Sequence, residues 1–284
     1  MDAWPVGLST GCFYQQSILS CLETIKEGGF DWIEVCSTPS HLNYHSSGDV
    51  EQAHLRIREL ELKACSFHAP FAEHIDISST SDSIRKNALR EISLAAEAAM
   101  LLEATCFVIH PGPEHEFVGD ERHHVERLKY TSESLFQIAG HCRQLGIRCV
   151  LENKLPHLVF SRIDDLVFIL DATVMTRVGI CLDTGHAHLA RALEGMVAVL
   201  APFLCMIHAH DNRASADEHL PPGEGSIDWM PLASGLKAAH FHGLVVLELA
   251  GSREPGEIMN SARRGKQFLQ EVFRKAQLSY RGDL

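Results

Sequence analysis

The sequence predicts a single closed (β/α)8 barrel, and two observations support that fold class. Short runs of β-branched and apolar residues recur along the chain, and each is followed by a longer amphipathic stretch, which is the pattern of repeated βα units. Eight such runs occur, and eight units suffice to close a ring of parallel strands with the helices outside. With 284 residues and no Pro/Gly/Ser-rich linker, the chain is expected to form one domain over residues 1–284.

The eight predicted strands are rich in valine, isoleucine, leucine and cysteine. They comprise residues 6–10, 32–36, 63–68, 106–110, 148–152, 178–183, 204–208 and 243–248. Six of them end on a residue that can bind a metal ion. Because the carboxyl ends of the strands of such a barrel meet at one mouth, these six residues should lie close together.

Two of the intervening stretches show a helical period clearly. Residues 81–104 place apolar side chains, starting at Ile84, in a stripe near period 3.6. Residues 122–146 repeat the pattern and end at Gly146, which we expect to be the C′ glycine before the fifth strand.

Composition narrows the class of protein. A hydrophobic content of 45% with 22% charged residues is typical of a soluble globular enzyme. The apolar runs are shorter than the roughly 18 to 20 residues that span a bilayer, and no secretory signal opens the chain, so we expect a cytoplasmic protein without a membrane segment.

The net charge of −12 would repel a polyanion, so no nucleic-acid partner is expected. Whether the chain forms a homo-oligomer is left open.

The nine cysteines are scattered through apolar runs, and no CxxC pair occurs. This pattern predicts free thiols packed in the core rather than a disulfide framework or a cysteine metal site.

Three carboxylates end predicted strands: Glu152, Asp183 and Glu248 each follow a run of apolar residues. A buried carboxylate is costly unless it is paired, protonated or bound to a cation. His208 ends a fourth strand and completes a set of three oxygens and one nitrogen, which suits Mn²⁺, Mg²⁺, Co²⁺ or Zn²⁺. We therefore predict that the four residues share one divalent ion. The alternative, that each carboxylate only forms a salt bridge or caps a loop, is harder to reconcile with four matching strand ends.

Two histidines form a second candidate group. His68 and His110 each end a strand and are each followed within two residues by a proline, which fixes the turn. Alone, either would more often be a core or substrate-binding residue. Beside Glu152 the pair becomes a candidate ligand set, because imidazole is the commonest transition-metal ligand.

A third group involves the long loop after the seventh strand. Asp217 and His219 are two residues apart, so an extended backbone would aim both to one side, where His186 could join them. The alternative is a solvated polar loop. In all, the sequence offers nine candidate ligands for one to three divalent ions.

Several features suggest where a substrate would bind. Lys154, Arg213 and Arg253 lie just beyond strand ends and could hold a phosphate, although residues of this kind are more often solvated loop charges. Residues 221–225, PPGEG, predict a rigid turn followed by a close backbone approach, which could serve a substrate oxygen or phosphate.

Over essentially its whole length the chain resembles the xylose isomerase-like barrel superfamily, in particular its sugar phosphate isomerase/epimerase branch. The resemblance implies that one divalent metal is held by Glu152 in VLEN, Asp183 in CLDTGH, His208 in IHAHDN and Glu248 in LELAG. It further implies that the two glutamates transfer the proton and that His186 contacts the substrate.

The chain also resembles the apurinic endonucleases of the same superfamily. HAP matches at His68, HPG at His110, and the DxH pair at Asp217 and His219, a resemblance that implies three zinc ions. The sequence lacks the basic surface and DNA-penetrating loops implied by that activity. It also departs from some ketose epimerases, which carry a substrate-binding carboxylate where this chain has Leu158.

The expected function is therefore that of a divalent-metal-dependent isomerase or epimerase of a small sugar, a cyclitol ketone or a sugar phosphate. Its reaction would pass through an enediolate, with Glu152 and Glu248 removing and returning the proton and with His68, His186, Lys154 and Arg213 as candidate substrate contacts. Dehydration of a keto-polyol needs the same enolate. The alternatives are a di- or trinuclear phosphoesterase acting on a small phosphodiester and a non-enzymatic sugar-binding or regulatory barrel.

Overall fold

Eight parallel strands form a closed barrel in the computed structural model, which describes residues 4–116, 119–251 and 254–280. Each strand pairs with the next along the chain, and the eighth closes the ring by pairing with the first. The strands are β1 (Val6–Ser9), β2 (Trp32–Cys36), β3 (Lys63–His68), β4 (Cys106–Ile109), β5 (Arg148–Glu152), β6 (Gly179–Asp183), β7 (Leu204–Ala209) and β8 (Leu244–Leu247). The predicted fold class is confirmed.

Helices connect the strands on the outside of the barrel. They are α1 (Ile18–Glu27), α2 (Ser47–Glu59), α3 (Asp82–Leu101), α4 (Glu121–Gln144), α5 (Ile163–Ala172), α6 (Thr184–Leu189), α7 (Leu193–Leu200), α8 (Trp229–Ala238) and α9 (Pro255–Lys275). Short 3₁₀ turns cover Thr10–Phe13, Val174–Thr176 and Ala201–Phe203. Within the described ranges, no helix is long and apolar enough to cross a membrane.

Two helical predictions have different outcomes. Gly146 follows the end of α4 with a φ of +77°, so it is the predicted C′ glycine. Ile84, in contrast, is 42% exposed, and the buried stripe of α3 begins only at Ala88. The prediction for Ile84 is wrong because the first turn of α3 extends beyond the part of the helix that packs on the barrel.

The barrel interior is filled below its mouth by a layer of small and branched side chains. This layer forms a core cluster separate from the larger one between strands and helices, and it consists of Cys65, Cys106, Val108, Val150, Cys181, Cys205, Met206, Leu244 and Val246. All nine cysteines are free thiols, eight of them buried and Cys36 partly exposed, as predicted.

The candidate ligands continue this interior layer towards the mouth. Alternate residues of a strand share one face, so the position two beyond an interior residue also faces inwards. Val150 is followed in this way by Glu152, and Met206 by His208. The same two-residue step along the chain leads to His110 and Glu248. They lie just after β4 and β8, because those strands end one residue earlier than predicted. The four candidate ligands reached in this way therefore form the top interior layer.

Candidate metal centre

Glu152 lies at the centre of the candidate site, and its two carboxylate oxygens face different partners. Oε1 is 3.2 Å from Nδ1 of His208. Oε2 is 3.2 Å from Nε2 of His68 and 3.3 Å from Nε2 of His110. The Glu152 side chain is only 1% exposed, so its charge must be balanced by these neighbours or by bound cations.

The first group of potential ligands contains the four residues predicted to share one ion. Glu152, Asp183, His208 and Glu248 each offer one atom, and these atoms lie within 4.8 Å of one another. Nδ1 of His208 is also 3.5 Å from Oε2 of Glu248, yet this buried nitrogen has no hydrogen-bond partner. A ring nitrogen without a partner among three carboxylates suits a bound divalent cation, so the donor set fits the expected metal.

The second group is formed by His68, His110 and Glu152. Nδ1 of His68 is 2.9 Å from the carbonyl oxygen of Ala69, and Nδ1 of His110 is 2.6 Å from a carboxylate oxygen of Glu114. With Nδ1 occupied in both rings, Nε2 remains to face Glu152. This arrangement, in which one imidazole nitrogen is held and the other is presented, is usual at metal sites.

The third group joins the long loop after β7 to the start of α6. It contains His186, His210, Asp217 and His219, whose ligand atoms again lie within 4.8 Å of one another. Nε2 of His219 and Nε2 of His186 are 3.1 Å and 3.6 Å from Oδ2 of Asp217. The structure thus brings together all nine residues that the sequence singled out.

The backbone at His219 differs from the expected extended segment. Its φ is +46°, in the left-handed region that non-glycine residues seldom adopt. The strained position is held from both sides: the carbonyl of His219 accepts the N–H of Ala250, and Nδ1 of His219 is 3.0 Å from the carbonyl oxygen of Glu248. Such strain persists where the surrounding structure fixes it, as at functional sites.

His210 belongs to the site but was not predicted from the sequence. This fully buried histidine places Nε2 at 3.0 Å from both carboxylate oxygens of Asp183, while its Nδ1 has no partner. The available signal was its position two residues after His208 at the end of a strand, which puts both side chains on the same face. Gly185 makes room for the ring, because a Cβ there would lie 2.0 Å from Cε1 of His210.

Glu34 was missed as well. It is fully buried in β2, and its Oε2 accepts a hydrogen bond from Oγ of Ser66 at 2.8 Å and lies 3.0 Å from Nε2 of His208. A charged residue in the middle of the apolar strand WIEVC was the available signal, since a buried carboxylate needs a partner.

Two residues that were predicted to contact the substrate, Lys154 and Arg213, are instead paired with other groups of the protein. The ammonium of Lys154 is 3.0 Å from Oε1 of Glu114 and donates to the carbonyl oxygens of Gly112 and Pro113, and its side chain is 1% exposed. Burial lowers the pKa of Lys154, although Glu114 opposes the shift. Lys154 therefore ties the loop after β4 to β5, and its donors are not available to a phosphate.

Arg213 forms an ion pair with Glu218, its side chain is 60% exposed, and it lines neither of the clefts described below. The prediction that Arg213 contacts the substrate is not supported, because its guanidinium is paired with the carboxylate five residues later in the same loop. Arg253 lies outside the described residues.

The PPGEG segment cradles a carboxylate of the protein itself. Asp211 accepts hydrogen bonds from the backbone N–H of Gly223 at 3.0 Å and of Ile227 at 3.1 Å, and from Nε1 of Trp229 at 2.9 Å. A Cβ at Gly225 would lie 2.2 Å from Oδ1 of Asp211. The expected close backbone approach exists, but it serves Asp211 rather than a substrate oxygen or phosphate.

Two clefts open onto the candidate ligands. One has a volume of about 330 Å³ and is walled by residues from β1, β2 and the segment after β8, including Ser9, Tyr14, Thr38 and Leu249. The other, of about 200 Å³, is walled by Glu114, Lys154, Leu155 and Leu158. Both are lined by His68, Phe71, His219 and Glu248, so an organic molecule in either would contact the candidate ligands.

The electrostatics of the site favour positive charge. Burial opposes protonation of the histidines, but nearby carboxylates prevail and raise the pKa of His68 and His219 to about 9 and that of His186 to about 10. For Glu152 burial opposes ionisation, yet His208 and His110 hold its pKa well below the usual value. Without an ion these three imidazoles are thus protonated at neutral pH, and a divalent cation would replace those protons.

Comparisons with known proteins agree with this architecture. The sequence profile of a family described as xylose isomerase-like TIM barrel matches residues 22–272. The uncharacterized protein MJ1311 of Methanocaldococcus jannaschii is 28% identical over 271 residues, which cover 93% of this chain and 88% of that protein. The crystal structure of a D-tagatose 3-epimerase-like protein is similar with a TM-score of 0.84 and 25% identity, covering 96% of this chain and 98% of that one. For D-psicose 3-epimerase in the presence of D-fructose, the TM-score is 0.81 at 15% identity, with 95% and 99% covered.

Proposed function

Because the chain belongs to the xylose isomerase-like TIM barrel family, we propose that it is a divalent-metal-dependent epimerase or isomerase of a small, unphosphorylated keto sugar. The observation that carries this proposal is that Glu152 and Glu248 both approach Nδ1 of His208, at 3.2 Å and 3.5 Å, beside two clefts. Two carboxylates that reach one ion can also reach one substrate bound to it. The similarity to a D-tagatose 3-epimerase-like protein supports the same reaction class.

Glu152, Asp183, His208 and Glu248 would hold the ion. When bound, a divalent cation polarises a substrate carbonyl as a Lewis acid and makes the neighbouring C–H more acidic. One glutamate would then remove that proton and the other would return one to the opposite face. Both glutamates suit these roles because each approaches Nδ1 of His208, so each would lie beside a substrate held at the same ion.

The surroundings of the site support an uncharged substrate. In the part of the chain that the structure describes, Lys154 is engaged by Glu114 and Arg213 by Glu218, and the backbone N–H of Gly223 in the PPGEG turn donates to Asp211. The wider cleft offers hydroxyls and apolar surface, with Tyr14, Thr38 and Phe71 among its walls. Hydroxyl groups and ring faces recognise a neutral polyol, whereas a phosphate needs free cations or backbone amides.

Solvent exchange tests the proposal directly. Protein loaded with Mn²⁺, Co²⁺ or Zn²⁺ is incubated in D₂O with tagatose, psicose, fructose and ribulose, and with the phosphorylated forms of fructose and ribulose. We expect deuterium to enter at the carbon next to the carbonyl of a free ketose, with the epimer or isomer as product. If deuterium entered only the phosphorylated sugars, the proposal of an unphosphorylated substrate would be contradicted. A product that has lost water would indicate a dehydratase.

One observation favours a second candidate function. Glu152 joins the first and second ligand groups, and the third lies alongside, so the mouth could hold two or three ions as a metal phosphoesterase does. Hydrolysis of bis-p-nitrophenyl phosphate without ketose exchange would support this alternative. The net charge of −12 argues against a polyanionic nucleic acid as its substrate.

A further inference from the structure

Glu34 lies beneath the candidate ion site and contacts one of its ligands. We propose that Glu34 is a positioning residue, which fixes the ring of His208 through Nε2 so that Nδ1 is the nitrogen presented to the ion. This inference rests on the proposed divalent-ion site, but it does not depend on which substrate is used.

The contacts of Glu34 are few and specific. The side chain crosses from β2 towards β7, where Oε2 is 3.0 Å from Nε2 of His208. The hydroxyl of Ser66 donates to the same oxygen at 2.8 Å, and Ser66 is the register partner of Glu34 on β3. Oε1 is buried without a partner. The hydroxyl therefore orients the carboxylate, and the carboxylate orients the imidazole.

The hydrogen bond determines which tautomer His208 adopts. An ionised carboxylate can only accept, so Nε2 of His208 must carry the hydrogen. A neutral imidazole has one N–H, and the lone pair is then on Nδ1. This is the nitrogen that faces Glu152 and Glu248 at 3.2 Å and 3.5 Å and has no hydrogen-bond partner.

Glu34 is not placed to bind the ion itself. It is absent from all three groups of potential ligands in the described part of the chain, and it approaches the first group only through His208. Its role differs from that of Glu152 or Glu248, since a carboxylate bonded to a ligand imidazole fixes the orientation of the ring and increases its basicity. Loss of such a partner typically weakens metal affinity about 10- to 100-fold.

The test uses Co²⁺ alone as the probe, with affinity measured by competition against a chromogenic chelator. Glu34→Leu removes the acceptor and should weaken Co²⁺ binding about 10- to 100-fold. Glu34→Gln keeps a carbonyl oxygen that can accept from Nε2, so its binding should stay within a few-fold of wild type. Equal losses in the two variants would overturn the proposal, because charge rather than the hydrogen bond would then be responsible, and so would wild-type affinity of Glu34→Leu.

The matched control is Asp165→Asn, which alters a buried carboxylate paired with His124 away from the candidate ligands. It should leave Co²⁺ affinity unchanged. If Glu34→Leu does not fold, as judged by circular dichroism, ¹⁵N NMR of the Zn²⁺-loaded wild type decides. A hydrogen on Nε2 of His208 supports the proposal, and a hydrogen on Nδ1 overturns it. Loss of ketose exchange with wild-type ion affinity would count against the proposed function without touching this inference.

Discussion

The ring of His210 lies flat against the ring of His219, with centroids 3.9 Å apart and planes within 10° of parallel. The same His210 reaches both oxygens of Asp183 through Nε2. One buried imidazole therefore joins a ligand candidate on β6 to another on the loop after β7. This contact adds to the hydrogen bonds of Thr184 and Asn212 that also join the two segments.

Gly185→Ala should disturb this link. The new Cβ would lie 2.0 Å from Cε1 of His210, so the ring must move, and we expect a destabilisation of about 1–3 kcal/mol in urea unfolding. The matched control is Gly140→Ala in α4, where no heavy atom outside the local helix backbone lies within 4 Å of the added Cβ and helix propensity should add about 0.5–1 kcal/mol. Unchanged stability of Gly185→Ala would show that the pocket around His210 can relax freely.

Glu248→Gln should abolish turnover while the fold is kept. The amide preserves the volume of the side chain but removes the negative charge and the basicity that proton transfer needs. The side chain is 21% exposed at the cleft, so little packing is lost. The measurements are deuterium exchange into the ketose and thermal unfolding of the same sample. Retained exchange at the wild-type rate would remove Glu248 from the reaction.

The number of bound ions distinguishes the two candidate functions. If the second and third groups hold ions, His68→Ala and His219→Ala should each lose about one ion per chain relative to wild type. If these histidines only orient a sugar, both variants should retain one ion while substrate affinity falls. Elemental analysis after dialysis against the same Zn²⁺ or Mn²⁺ buffer provides the count. We expect the wild type to bind a second ion, and a ratio fixed at one under saturating metal would contradict this.

Ion binding should release protons and strengthen with pH. Without an ion the pKa of His68 and of His219 is about 9, so both are protonated at pH 7 and must lose that proton to bind a metal. Affinity should therefore rise between pH 6 and pH 9. Calorimetry in two buffers of different ionisation enthalpy would measure the protons released. An affinity that is independent of pH would mean that these histidines bind no ion.

The stability of the ion-free protein should show the opposite trend. The pKa of His186 rises from 6.5 to about 10 on folding, and that of His68 to about 9. A raised pKa contributes stability that is complete below about 6.5 and is lost as the pH rises through the folded value. The melting temperature of metal-depleted protein should thus fall between pH 7 and pH 10, while loaded protein shows a smaller change.

The sequence predicted the barrel from the recurrence of strand-like and helical stretches, and it placed the candidate ligands at one mouth because they end parallel strands. Once Val150 and Met206 are taken as interior positions, period two places Glu152 and His208 at the mouth without knowledge of any distant contact. Glu34 was missed since it sits below the strand end, where its partners Ser66 and His208 lie on other strands and are revealed only by the folded barrel.

The failures involve partners that only the folded chain reveals. The ammonium of Lys154 is taken by Glu114, forty positions earlier in sequence, and no local pattern links the two. Asp211 likewise accepts the backbone N–H of Gly223, in a turn that begins ten residues later. Polar groups near strand ends are easy to find from sequence, but whether they are free to meet a substrate depends on tertiary hydrogen bonds.

The two carboxylate oxygens of Glu152 face different groups of potential ligands, and this affects how two metal ions would bind. An ion near His208 and an ion near His68 and His110 would draw on the same negative charge through opposite oxygens of one side chain. Each would lower the affinity for the other by the same factor, because such coupling is reciprocal. A titration would then show one tight and one weaker phase, and the number of ions at work in the cell would follow the free metal concentration rather than being fixed by the fold.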